Sequence, residues 1–126
     1  MAMLGAIPSL PVRDIAAAVG FYTVRLPFHC RHQQAGLAIL VRDEVELHLW
    51  AANRPDVPGG EPHLAGSASC GIRVDEALAL YERCSQAGIV HPNGPLQRTA
   101  WGTEEFTVLD LDGNALRFFR ILPTSG

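Results

Sequence analysis

The side chains in this chain most able to do chemistry are five histidines, three cysteines and two tryptophans. No two histidines follow the HxH or HExxH spacing that places two imidazoles on one metal ion. The surface or a loop is the simplest position for four of them, His29, His32, His63 and His91. The spacing of His29 and His32 on one short strand predicts that they point to opposite faces.

The cysteines, Cys30, Cys70 and Cys84, are odd in number and form no CxxC pair. We therefore expect free thiols buried in the core of a protein from a reducing compartment.

His48 and Trp50 are better candidates for a binding role. His48 alternates with Leu47 and Leu49, so its side chain points away from theirs, either to solvent or into a concave cleft. Trp50 shares its face by strand parity. If one of these two side chains lines a cleft, the other does as well.

A second group of candidates lies near the end of the chain. Trp101 precedes an alternating segment, and its indole is either part of the core or the wall of a ligand site. On the strand that follows, Glu105 and Thr107 share one face, and Glu104 and Phe106 share the other. Which of these two faces is buried depends on a register that the sequence does not fix.

Length and charge limit the possible functions. At 126 residues the chain is one domain, or two small halves that share a core. The net charge of -3 gives no basic surface for nucleic acid and slightly favours cationic ligands. No apolar run reaches the length of a membrane span, and the first residues lack a basic region followed by an apolar core. We expect a cytoplasmic protein.

The chain reads twice as strand, helix and further strands. In the first half, strands are predicted at 6–12, 28–32, 37–42 and 45–50, with a helix at 15–22 that Asp14 caps. In the second half, strands are predicted at 67–74, from 89, at 104–110 and at 115–121, with a helix at 76–87 that Asp75 caps and Gly88 closes. The halves span about 6–51 and 67–122, with a linker or lid loop at about 52–66. Each half is too small to bury its own core, so we expect them to pack together.

Three segments carry a family resemblance. They are Ile7-Pro-Ser-Leu-Pro-Val-Arg-Asp14 with Phe21-Tyr22, Val41-Arg42-Asp43, and Trp101-Gly-Thr-Glu-Glu-Phe106 with Asp110-Leu-Asp-Gly-Asn114. Together they resemble the vicinal oxygen chelate superfamily, whose α+β fold pairs two βαβββ modules. Within it the chain is most similar to the bleomycin resistance proteins.

The resemblance implies that the metal site of the superfamily's enzymes is lost. Their His, Gln and Glu ligands correspond here to Ile7, to Ala68 or Ser69, to Arg117 and to His48. Of these residues only His48 offers a lone pair suited to a divalent metal ion, and the guanidinium of Arg117 offers none. We therefore expect no metal, no cofactor and no catalytic residue.

The resemblance further implies a homodimer with two clefts at the subunit interface, an N-terminal strand exchanged at Pro8, and sequestration of a bleomycin-type drug in its free or metal-chelated form. The sequence departs from that pattern in three places: Arg31 replaces an acidic group, Leu37 replaces an aromatic one, and Gly71 stands where a second tryptophan is expected. The expected ligand-binding residues are Trp101, Trp50, His48, Arg117, Arg31, His32, Leu37 and Glu105. Neither nucleic acid nor membrane is an expected partner.

Two other functions remain open at this stage. One is a lyase, isomerase or dioxygenase on the same scaffold, with His48 as a base or as part of an unusual metal site. The other is a binder of a different aromatic natural product, in which Arg31 and Arg117 favour an anionic ligand through bidentate contacts.

Overall fold

A computed structural model describes residues 1–54, 56 and 60–124. These residues form eight strands, two α-helices and one 3₁₀ turn. The first half contains β1 (Ser9–Val12), α1 (Ile15–Val24), β2 (His29–Gln34), β3 (Leu37–Arg42) and β4 (Val45–Ala51). After a 3₁₀ turn at Pro62–Leu64 come β5 (Ser69–Arg73), α2 (Leu78–Gln86), β6 (Gln97–Arg98), β7 (Thr103–Leu109) and β8 (Ala115–Ile121). Residues 55 and 57–59 of the predicted linker lie outside the described residues.

The two halves repeat one sheet topology. The first sheet has the order β1-β4-β3-β2, and the second has the equivalent order β5-β8-β7-β6. In each sheet the first strand pairs with the last in parallel, and the remaining pairs are antiparallel. The predicted α+β fold of paired βαβββ units is therefore confirmed.

The helices begin for different local reasons. At α1 the Asp14 carboxylate accepts a 2.8 Å hydrogen bond from the Ala17 amide, so the predicted cap is confirmed. At α2 the prediction that Asp75 caps the helix is wrong. The N-cap residue is Ala77, and Glu76 beside it accepts from the amides of Leu78 at 2.6 Å and Ala79 at 3.2 Å, because its long side chain reaches the free amides of the first turn.

One hydrophobic core unites the halves. Buried side chains of both sheets and both helices form a single cluster, with Tyr22, Leu49, Phe106 and Phe118 among its largest members. The side chain of Asn114 connects the second half to the first. Asn114, which is fully buried, donates to the Pro11 carbonyl at 2.9 Å, and it accepts from the Ala68 amide at 3.0 Å. Because neither half supplies a complete core, we expect them to unfold together.

Several sequence expectations need correction. The first strand starts at Ser9 rather than at residue 6, and residues 89–90 make only an isolated bridge between Val90 and Val108. The sequence did not predict β6, because its two exposed polar residues carry no periodic hydrophobic signal. Of the three free cysteines, Cys84 is buried and Cys70 is half-buried, but Cys30 is exposed, so its predicted burial is wrong.

No helix among the described residues is long and apolar enough to cross a membrane.

Candidate functional site

Each sheet has one face on the shared core and one face that the described residues leave uncovered. On β4, Leu47, Leu49 and Ala51 are buried, whereas Glu46, His48 and Trp50 alternate with them and remain half exposed. His48 and Trp50 therefore share a face, as strand parity predicts. We call this surface of β2, β3 and β4 the first open face. The corresponding surface of β5, β7 and β8, with Glu105, Thr107, Arg117 and Phe119, is the second open face.

On the first open face, one carboxylate joins an imidazole and a guanidinium. Glu46 Oε2 lies 2.7 Å from His48 Nε2, and its Oε1 lies 3.1 Å from an Arg31 guanidinium nitrogen. The hydrogen bond from His48 and the charge of Arg31 lower the pKa of Glu46 below its usual range. The carboxylate is therefore ionised and already paired at neutral pH.

A β-bulge places Arg31 in this group. The pairing register of β2 with β3 shifts between Cys30 and His32, which makes Arg31 the extra residue. The same shift pairs His29 with Val41 and His32 with Ile39, two positions on one face of β3. The prediction that His29 and His32 point to opposite faces is therefore wrong, because it assumed a regular strand.

The remaining candidates of the first half lie beside this group. Leu37 is the direct cross-strand partner of Trp50, so an aliphatic and an aromatic side chain form a half-buried apolar pair. His32 Nε2 lies 2.8 Å from Gln34 Oε1 at the edge of the sheet. The first open face thus combines an apolar patch with a row of polar groups.

On the second open face, the Arg117 guanidinium is held by two side chains, Glu105 and Phe119. Its Nη1 donates to Glu105 Oε2 at 2.9 Å, and its guanidinium carbon lies 4.9 Å from the centre of the Phe119 ring. The hydroxyl of Thr103 donates to the same glutamate oxygen at 2.9 Å. Of the two faces of β7 that the sequence left open, Glu105 and Thr107 lie on the face of Arg117.

Gly71 gives the arginine its space. Gly71 is the cross-strand neighbour of Arg117, and a Cβ atom at position 71 would come within 2.8 Å of Nη2. The guanidinium therefore fills the volume that a larger side chain at position 71 would need.

Trp101 is separate from both groups. It lies in the turn between β6 and β7, and its side chain is 71% exposed, so a core position is excluded. The turn is held by Thr99, whose hydroxyl accepts from the Thr103 amide at 3.1 Å. The indole is available to a ligand, and no hydrogen bond or ion pair within the described ranges joins the first open face to the second.

Sequence reasoning missed four residues of these faces: Glu46, Gln34, Thr103 and Phe119. The signal for Glu46 and Phe119 was present, since each lies two residues from a chosen candidate on the same strand. Thr103 and Gln34 show their roles only through hydrogen bonds that depend on register.

The residues at the superfamily's metal positions do not fit a metal. Arg117 is occupied by an ion pair with Glu105, Ile7 is half exposed and apolar, and His48 is bonded to Glu46. Among the residues that the structure describes, no three His, Cys, Asp or Glu side chains come together as a potential ligand set.

The profile of the Glyoxalase/Bleomycin resistance protein/Dioxygenase superfamily matches residues 5–118. The chain belongs to this superfamily. It is 39% identical to a Bleomycin resistance protein of Geobacillus stearothermophilus over 128 residues, which covers 94% of this chain and 97% of the relative.

Two solved structures extend the comparison for this superfamily member. A bleomycin-binding protein complexed with bleomycin is 31% identical, with a TM-score of 0.71 over 94% of this chain and 98% of that one. A bleomycin-binding protein from Streptomyces verticillus complexed with copper(II)-bleomycin is 26% identical, with a TM-score of 0.75 over 98% and 99% of the two chains. Both likenesses include the sheets that carry the two open faces.

Proposed function

We propose that this protein binds a bleomycin-type antibiotic and holds it without modifying it. The observation that carries the proposal is the 39% identity, over nearly the whole of both chains, to a protein named for bleomycin resistance. A drug held by the protein is not free to reach DNA. Resistance then follows from mass action, and the protein acts in the cytoplasm, before the drug meets its target.

The uncovered sheet faces support binding in particular. Trp50 and Leu37 offer an apolar surface against which a flat heteroaromatic ring can stack, a contact worth about 0.5–1.5 kcal/mol beyond burial. The exposed indole of Trp101 offers a second such surface. The proposed ligand-binding residues are Trp101, Trp50, His48, Arg117, Arg31, His32, Leu37 and Glu105.

The proposal includes a homodimer with an exchanged N-terminal segment. In the single chain, Met1, Met3 and Leu4 are almost completely exposed and Ile7 is half exposed, although all four are apolar. Residues of this kind are usually covered by a partner. Sedimentation equilibrium should give twice the chain mass, and a chain that lacks residues 1–7 should dissociate at concentrations where the intact protein stays dimeric.

A DNA-protection assay separates sequestration from enzymatic destruction. Iron-bleomycin nicks supercoiled plasmid DNA, and increasing amounts of protein are added at a fixed drug concentration. We expect protection to rise linearly and to end at one drug molecule per chain, with the drug mass unchanged by mass spectrometry. Protection by far less than one equivalent, or a drug of altered mass, would indicate an enzyme instead.

A further inference from the structure

The ionised groups of the two open faces are paired unequally. Glu46 is bonded to Arg31 and His48, and Glu105 is bonded to Arg117 and Thr103. These two are the only carboxylates that the described strands place on the open faces. Each carboxylate is therefore already engaged by a neighbouring arginine.

The arginine of the second pair, by contrast, keeps free donors. A guanidinium has five N–H groups, and within the described part of the chain Arg117 uses only one group, Nη1, in its hydrogen bond to Glu105. The arginine side chain is 45% exposed, whereas the glutamate beneath it is 10% exposed. The surface that a ligand meets here is therefore the cation and not the carboxylate.

The arginine is also held in place before any ligand arrives. Phe119 stacks against one side of the guanidinium, Glu105 fixes Nη1, and the missing side chain of Gly71 leaves room for Nη2. A donor fixed in this way loses little side-chain entropy when it binds an acceptor. Arg73 follows Gly71 by two residues on the same strand face and adds a second positive charge there.

We propose that Arg117 determines ligand specificity: its free N–H edge binds an acceptor oxygen of the ligand, and its charge selects a carboxylate over a cationic group. This inference rests on the proposed binding function and adds the chemical class of the ligand's end group. The protein is then a binder of flat heteroaromatic ligands that end in an acceptor. A cationic end group is repelled from the second open face.

Two bleomycin congeners test this selectivity. Bleomycin A2 ends in a sulfonium cation and bleomycinic acid ends in a carboxylate, and both share the remaining structure. Calorimetry should show bleomycinic acid binding roughly tenfold more tightly, as expected for a charge-assisted hydrogen bond gained and a repulsion avoided. In the Arg117→Gln variant this preference should fall towards equality.

Arg120→Gln is the matched control. Arg120 lies on the same strand, pairs with Glu104 on the opposite face, and its replacement changes the net charge equally. The control should keep the preference of the unmodified protein. A preference that is unchanged in Arg117→Gln, or lost equally in both variants, would overturn the proposal.

A second measurement does not depend on bleomycin binding. A bithiazole carboxylate is added at millimolar concentration, and the Nε–H signal of Arg117, assigned by its loss in Arg117→Gln, is followed by NMR. We expect this signal to move with the carboxylate and not with the corresponding aminomethyl cation. If neither congener binds but the signal moves, the bleomycin assignment is wrong and the selectivity stands. If the congeners bind equally and the signal stays in place, the selectivity is wrong and the binding function stands.

Discussion

The Tyr22 hydroxyl donates a 2.8 Å hydrogen bond to Oδ2 of Asp110, and so connects the first helix to the closing hairpin. The other oxygen of Asp110 accepts hydrogen bonds of 2.8–3.0 Å from the backbone amides of Asp112, Gly113 and Asn114. These bonds shape the turn between β7 and β8. One carboxylate therefore fixes both the turn and its position against the other half. The strands that carry Glu105 and Arg117 enter and leave this turn, so the second open face depends on it.

The Tyr22 phenol should remain protonated in the folded protein at high pH. Burial, followed by the charge of Asp110, raises the pKa of Tyr22 above its ordinary value of about 10. The unfolded chain loses this proton near pH 10 and the native protein keeps it. Stability contributed by the group is thus complete below pH 10 and declines above it, by at most about 1.4 kcal/mol per pH unit. Denaturant unfolding at pH 9, 10 and 11 should show a decline that is shallower in Tyr22→Phe, and equal slopes would contradict this account.

Asn114→Ala should lower the free energy of unfolding by about 3 kcal/mol. The substitution leaves the buried Pro11 carbonyl and the partly buried Ala68 amide without the partner that Asn114 provides, at about 1–3 kcal/mol for each group. Asn93→Ala is the control, because Asn93 is exposed and only its backbone amide is bonded. The control should change stability by less than about 0.5 kcal/mol. Urea unfolding measures both, and similar values for the two variants would refute the structural role of Asn114.

Glu46 should titrate below the ordinary glutamate value of about 4.5. The hydrogen bond from His48 is the larger cause and the charge of Arg31 the smaller, so His48→Ala should raise the titration midpoint more than Arg31→Ala does. The ion pair with Arg31 and the hydrogen bond from His48 are then present at neutral pH and are lost as the pH falls through the lowered pKa of Glu46. Carbon-13 NMR of the labelled carboxylate gives the midpoint directly. An ordinary midpoint in the unmodified protein would show that the three groups do not interact in solution.

Trp50→Ala should weaken bleomycin binding by roughly tenfold, since it removes both apolar contact area and ring stacking. The chain has two tryptophans, so the fluorescence that remains in Trp50→Phe reports on Trp101 alone. We expect the drug to quench this remaining emission. Leu78→Ala, at an exposed apolar position of α2, should bind as the unmodified protein does. If Trp50→Ala binds bleomycin as tightly as the unmodified protein does, the first open face is not part of the binding site.

Regular patterns in the sequence predicted most of the fold. The predicted bounds of β3 and β8 match the structure to the residue, and the Asp14 cap correctly marked the start of α1. Irregular features of the strands were not predicted. The bulge at Arg31 inserts one residue into a strand without changing its letters, and every face assignment beyond it reverses.

In the candidate site, too, relationships within one strand were predicted and relationships between strands were not. Parity along β4 correctly placed His48 with Trp50, because both lie on one uninterrupted strand. The pairing of Arg117 with Glu105 depends on the register between two strands, and the role of Gly71 depends on a third. Such relationships arise from tertiary packing, so a single sequence could name the residues but not the contacts.

The central claim is that this protein binds bleomycin reversibly and leaves it unchanged. Calorimetric titration of the purified protein with bleomycin, followed by mass spectrometry of the recovered drug, tests it most directly. We predict saturable binding of one drug per chain with a dissociation constant below about 10 µM, an affinity near -7 kcal/mol or stronger, and full recovery of the intact drug. An absence of binding at tens of micromolar, or recovery of a modified drug, would contradict the claim.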